Sequence, residues 1–534
     1  MNRPSPALPR DFLWGVSTSA FQSEGGYNEP GQPRTNWARA QEKGRVAPSG
    51  NASEFWTRYE EDFRRVRALG LNSFRMGIEW SRIQPCSTDG RTDPPPFDMK
   101  ALEHYARMLV ACRAQALEPV LTLHHFTHPA WLGSDPWLEA RTPELFEQFV
   151  ATSMVYLNEC LVAAGHAPVR VIITINEPNM LVFNSYLGMQ FPCKGQPGFQ
   201  SITHAVNNLL IAHARVYNYL HDLYGSRGWD APAVTFNNYC SDLYWLDKFF
   251  LDLVAAAERG IPRTGVEEYI CQRRKRFDEA FREAAIPLRN DFPSLVGKLV
   301  KKMSNALGGE WFSASRFGPA LDAIYGSSRS RLIDFIGLDY YDPFAAHIFR
   351  LPVWWDHESR SRSFHDWIMN SVTAKWWDWS VLPSGLRFFC KHYAEDFNRP
   401  ILIAENGMAL RRRFNNEYFP RKDKLTRSEF IRAHVNEVER LVDEGVPIFG
   451  YLHWSLFDNY EWGSYTPRFG LYALDYQKGT DRLPVDFLGD CPSQTYATLV
   501  KAAVSRHSSH SSPPSINPKA PHAISRPRAA QTLD

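Results

Sequence analysis

Residues 169–178 read VRVIITINEP. From Val169 to Ile175 every residue but Arg170 is β-branched. Such a run reads as a strand covered on both faces, as in a parallel sheet, rather than the alternating kind with one wet side. It stops at Asn176-Glu177-Pro178, leaving a carboxylate at the strand end. Outward from it the same unit recurs at Phe12–Ser17, Ser73–Ile78, Pro119–His124, Ala233–Asn238, Ile333–Tyr340, Ile401–Ala404 and Pro447–His453. Each apolar run is followed by a polar break and an amphipathic helical stretch. Glu54–Leu69 sets Phe55, Tyr59, Phe63 and Val66 on one face with Gly70 as a stop, and Lys100–Ala116 does so with Leu102, Tyr105, Leu109 and Ala116. Eight such alternations predict an α/β chain folded as a single (β/α)8 TIM barrel, with functional groups at the carboxyl ends of the strands.

The predicted barrel occupies residues 1–504. Residues 247–332 break its rhythm as an enlarged, charge-rich, mostly helical insertion between strands five and six, and its basic run Arg273–Arg276, interleaved with acidic residues, reads as a solvated helix face. Residues 505–534, rich in Ser and Pro, read as a disordered tail. Lys and Arg number 60 against 58 Asp and Glu, a formal charge of +2, so no nucleic-acid partner is expected. No apolar run is long enough to predict a membrane span. The amino-terminal residues lack the pattern of a secretory signal, and the eight cysteines include no C-x-x-C pair, so a cytoplasmic chain with reduced thiols is expected. Aromatic residues make up 14% of the chain, which suits a large core and equally a platform for sugar rings or bases.

Two strands end in glutamate, at Asn176-Glu177-Pro178 and at Glu405-Asn406-Gly407. Either alone reads as a solvated or capping residue. Together, at strand ends four and seven of one barrel, they form the two-carboxylate apparatus of glycoside hydrolysis. The chain resembles glycoside hydrolase family 1, the β-glucosidase and β-galactosidase family. The resemblance runs from about Phe12 to Val500 through FLWGVSTSAFQSEGG (12–26), FRMGIEWSRI (74–83), TINEP (174–178), IAENG (403–407) and YLHWSLFDNYEW (451–462), in that order.

The resemblance implies a retaining exo-β-glycosidase for small β-glycosides, with terminal unphosphorylated β-D-glucosides first and β-galactosides or β-fucosides also in view. Glu177 matches the general acid/base and Glu405 the nucleophile, while Arg75 and Tyr341 match positions that contact the nucleophile. Gln22, His125, Asn176 and Glu461 match contacts to sugar hydroxyls. Trp454, Trp462 and Phe469 match the aromatic walls, and Phe126 stands where the family more often has Trp. The family's 6-phospho-glycosidases lose the carboxylate at the position of Glu461, so its presence here implies an unphosphorylated sugar. His124, His125 and His128 invite a metal reading, but strand neighbours point to opposite faces, and no metal or organic cofactor is expected.

One position departs from the pattern. The sixth-strand motif has Asn before two tyrosines, whereas this chain reads Asp339-Tyr340-Tyr341. A third carboxyl beside the nucleophile must hold a proton or pair with an arginine. The segment between Glu461 and Phe469 is one residue short of the family pattern. Alternative readings are a catalytically weak glycan-binding or interaction module, against which the retained Glu177 and Glu405 weigh, and a transglycosylase using the same covalent intermediate. The oligomeric state is not legible.

Overall fold

The computed structural model describes residues 8, 11–86, 93–188, 190–350 and 376–508. Eight parallel strands close into a barrel: β1 (Leu13–Ser17), β2 (Ser73–Gly77), β3 (Glu118–Thr122), β4 (Val171–Asn176), β5 (Ala233–Tyr239), β6 (Ile336–Tyr340), β7 (Ile401–Asn406) and β8 (Ile448–Trp454). Each pairs with its neighbours in sequence, and β1 closes the ring on β8 with Leu13 opposite Gly450 and Ser17 opposite Trp454. The eight runs read from the sequence are these strands, with their ends displaced. β4 starts at Val171 because the Val169 amide is taken by the Asn158 side chain, and β6 starts at Ile336, just after Asp334, whose side chain accepts from Tyr217 and the Val234 amide.

The barrel interior is filled at its amino-terminal end by a compact apolar plug from Leu13, Val120, Val171, Ile173, Ala233, Leu402, Ala404 and Leu452. A larger apolar layer lies between the strands and the surrounding helices. Phe55, Tyr59, Phe63 and Val66 are buried along helix Phe55–Ala68 as patterned. The next helix, Met99–Ala114, stops short of the sequence reading. Ala116 lies beyond it at φ 53°, and Cys112 takes the buried position instead.

The insertion consists of helices Lys248–Ala255, Val266–Glu283, Phe292–Trp311 and Gly318–Tyr325. Its basic run is not wholly a solvated face. Arg273 is buried and, with Lys248, meets Asp252 and Asp396, because this helix packs back onto helix Pro383–Phe397 rather than standing in water. Residues 505–508, read as the start of a tail, are the last turn of helix Pro492–Ser508, whose apolar side packs Tyr496, Val500 and Ala503 into the core. The rest of that segment lies outside the described residues. Among the described residues no helix is long and apolar enough to cross a membrane.

Candidate active site

At the carboxyl ends of the strands the apolar plug gives way to a layer of buried polar groups built around Arg75 of β2. Its Nε donates to Thr122 Oγ1 of β3 (3.0 Å), and its Nη1 to Ser17 Oγ of β1 (3.1 Å) and to Glu405 Oε1 of β7 (2.5 Å). Its Nη2 donates to Asn176 Oδ1 of β4 (2.5 Å). One fully buried guanidinium therefore ties four strand ends together and holds Glu405 on a charge-assisted bond. Tyr341, the residue after β6, donates from its hydroxyl to the other oxygen, Glu405 Oε2, at 2.8 Å.

Glu177 follows β4 directly. Its backbone sits at φ 39°, ψ 62°, a left-handed conformation unfavourable to a residue with a side chain, and Pro178 then opens helix Pro178–Tyr186. Phe126 and Trp462 share this property at φ 67° and 40°. Asp339, the penultimate residue of β6, lies opposite Glu405 in the strand register. Single carboxyl oxygens of Glu177, Asp339 and Glu405 all fall within 4.8 Å of one another. The trio offers three oxygens that could hold a cation, and Arg75 places a permanent positive charge on one of its members.

Asp339 does not pair with an arginine, so of the two readings open for it only protonation fits the contacts. Its Oδ2 accepts from Asn237 Nδ2, and its carboxyl shares a hydrogen bond with that of Glu177. Burial, followed by the charges of Glu405 and Glu177, drives its carboxyl well above the usual carboxylate range. Burial and the charge of Glu405 likewise push Glu177 well up. Burial also raises Glu405, but Arg75 and the Tyr341 hydroxyl pull it back, making it the first of the three to ionise. The cluster thus separates one anion from two groups that retain protons.

The residues matched to sugar contacts converge on the same mouth. Gln22, in the short helix after β1, donates to Glu461 Oε2 at 2.7 Å, and Trp454 Nε1 donates to Glu461 Oε1 at 2.9 Å. Burial lifts the Glu461 carboxyl to about 8. His125 lies near-parallel to Trp454 and Trp462, at ring centroid distances of 5.9 and 5.7 Å, and shares a 3.3 Å contact with Asn176 Nδ2. Burial keeps it neutral. β3 ends at Thr122, so His124 and His125 are past the strand, yet they diverge: His124 packs edge-on against Trp137 and Phe146. Phe126 meets Trp462 edge-on at 5.0 Å, and Phe469 meets Tyr341 at 5.9 Å.

Several residues here carry no motif signal. Asn237 of β5 bridges Asn176 Oδ1 (2.8 Å) and Asp339, and its only trace in the sequence is a polar NNY ending on an apolar strand. Trp379 lies against Tyr341 and Phe469, and Phe191 against Phe126 and Trp462. Both come from loops without periodicity. Together with Trp376 and Trp377 they line a cavity of about 2420 Å³ that has Glu177, Glu405 and Glu461 at its base.

The sequence profile described as glycosyl hydrolase family 1 matches residues 5–486. The chain belongs to glycosyl hydrolase family 1. As a family 1 member it is an O-glycosyl hydrolase acting on small glycosides. It is similar to a 6-phospho-beta-galactosidase of Clostridium acetobutylicum, 26% identical over 497 residues that cover 88% of this chain and 92% of the relative. A 6-phospho-beta-galactosidase of Lacticaseibacillus rhamnosus is 27% identical over 498 residues, covering 88% and 94%. In fold, this family 1 chain is similar to a beta-glucosidase from Thermotoga maritima solved with noeuromycin, at a TM-score of 0.64 and 22% identity, covering 93% and 99% of the two chains. A beta-glycosidase from Pyrococcus horikoshii gives a TM-score of 0.59 at 23% identity, covering 94% and 96%.

Proposed function

We propose that this glycosidase is a retaining exo-β-glycosidase of terminal, unphosphorylated β-D-glucosides, with Glu405 as nucleophile and Glu177 as acid/base. The observation that carries the reading is the spacing of the two carboxyls, with oxygens within 4.8 Å of each other. Such an approach accords with the ~5–5.5 Å carboxyl separation of retaining enzymes better than with the ~6.5–9.5 Å of inverting ones. The Glu405 carboxylate, aimed by Arg75 and Tyr341, attacks the anomeric carbon. As the bond to the aglycone oxygen breaks, that oxygen takes the proton of Glu177. Glu177, now an anion, removes a proton from water, whose oxygen displaces Glu405 and restores both groups.

The two 6-phospho-beta-galactosidases raise the competing possibility of a phosphorylated sugar. Glu461 supports the unphosphorylated reading, because its buried carboxyl already occupies the Gln22 and Trp454 donors that a phosphate would need at this position. The nearest downstream cation, Arg468, faces Asp458 and the carbonyls of Arg412 and Leu474. A panel of aryl β-glucosides, β-galactosides, β-fucosides and their 6-phosphates, assayed with wild type and Glu405→Ala, tests this. Turnover of the free glucoside by wild type and none by Glu405→Ala is expected. Activity confined to the 6-phosphates refutes the substrate assignment, and activity surviving in Glu405→Ala refutes the mechanism.

A further inference from the structure

Helix Phe292–Trp311 of the insertion carries two faces. Its inner face holds Ser294, Gly297, Gly308 and Trp311, all buried, and its glycines are in close contact. A Cβ on Gly297 would fall 2.0 Å from the Ala345 carbonyl oxygen, and one on Gly308 would fall 2.1 Å from the Trp245 indole nitrogen. The packing demand of the helix is met by three small residues and Trp311. Its large apolar residues, Phe292, Leu295, Leu299, Met303 and Leu307, nevertheless form a stripe of roughly 120° on another face. Each is between 48% and 72% exposed. Lys298 and Lys302, both exposed, edge the stripe on one side. On its other side it continues into the catalytic cavity, whose wall includes Val300, Met303, Leu307 and Trp311 of this helix together with Trp245 and Phe250. An exposed apolar stripe edged by lysines is the pattern of a helix that meets lipid.

The cavity also extends beyond the residues suited to sugar hydroxyls: from Glu177, Glu405 and Glu461 its lining reaches the apolar Phe250, Val300, Met303 and Leu307. We propose that the aglycone is a long alkyl or acyl chain, so that the enzyme hydrolyses hexosyl lipids whose tail runs from the catalytic carboxyls along this wall onto the stripe of helix Phe292–Trp311. This rests on the glycosidase function proposed above.

The test is kcat/KM for ethyl, hexyl and octyl β-D-glucosides below their micellar concentrations, with an aryl β-glucoside alongside. Full burial of each added methylene raises kcat/KM by up to about fourfold. An octyl-to-ethyl ratio above about 100 is therefore expected for wild type, falling at least tenfold in Leu299→Gln/Met303→Gln. The ratio is read within each protein, and matching thermal melts establish that the double variant is folded. A wild-type ratio near one overturns the inference, as does a ratio unchanged in the double variant. A dimer in sedimentation that Leu295→Gln dissolves, with no chain-length effect, makes the stripe a subunit interface and overturns it too. Failure on every substrate, the aryl glucoside included, counts against the parent function instead.

Discussion

A single buried arginine faces a surplus of buried carboxyls at the barrel mouth, and the distribution of protons among them sets the working pH range. Glu177, Asp339 and Glu405 all have folded-state affinities for protons raised by burial, with Glu405 held lowest by Arg75 and Tyr341. Losing the last proton shared by Glu177 and Asp339 would place three anions within 4.8 Å of one another. Asp339→Asn removes one of them, so Glu177 gives up its proton more easily and the alkaline limb of the kcat/KM profile moves to lower pH. Superimposable limbs would discard this coupling. The same substitution has a stability consequence of fixed sign. Carboxyls raised in the folded state contribute stability that is complete below their unfolded pKa and lost as pH rises through the folded value. The Tm of Asp339→Asn is therefore expected to exceed that of wild type by a margin that grows from neutral to alkaline pH. At Glu177, replacement by Gln should lower kcat by roughly 10²–10⁴-fold on alkyl glucosides, whose leaving group needs the proton, and by less on aryl glucosides with acidic leaving groups.

At the scale of elements, the strand ends show why the site was partly legible. The register shifts between Ile173 and Asn176 on β4, at Leu338/Asp339 on β6 and between Tyr451 and His453 on β8. Such irregularities turn side chains that would face the outer helices toward the mouth. The apolar runs announced the strands, because burial on both faces leaves a compositional mark, and the motifs announced Glu177 and Glu405. Asn237 and Trp379 left no comparable mark, since one is an ordinary polar residue in a strand and the other sits in an aperiodic loop. The short sheet formed by Leu410–Arg412, Tyr418–Phe419 and Pro467–Arg468 was also illegible, its strands being too brief to show a period. In helix Phe292–Trp311 the buried face is carried by Ser294, Gly297, Gly308 and Trp311, while the larger apolar residues stay exposed. Gly297→Ala improves helix propensity by up to about 1 kcal/mol, yet is expected to destabilise the protein by about 1–3 kcal/mol because Cβ would meet the Ala345 carbonyl. Urea unfolding decides this, and a stabilised variant would mean that the helix shifts freely.

Across the whole molecule, the insertion is fastened to the barrel by a buried ionic knot. Lys248 Nζ lies 2.9 Å from Asp252 and 2.5 Å from Asp396, and Arg273 Nε lies 2.8 Å from Asp252. Removing one partner leaves buried charge uncompensated, so Asp252→Ala should cost about 3–5 kcal/mol in denaturant unfolding. A loss below 1 kcal/mol would show that the knot is hydrated or dispensable. Ring closure links still more distant parts of the chain. β1 has β2 as an early neighbour, but its other edge is covered by β8, and Tyr496 donates to the Gly15 carbonyl across 481 residues of sequence. A ribosome adding roughly 5–20 residues per second takes about half a minute to a minute and a half to supply that span. For that time β1 carries a bare hydrogen-bonding edge, which leaves the nascent barrel open to pairing with other strands until its own last strand arrives.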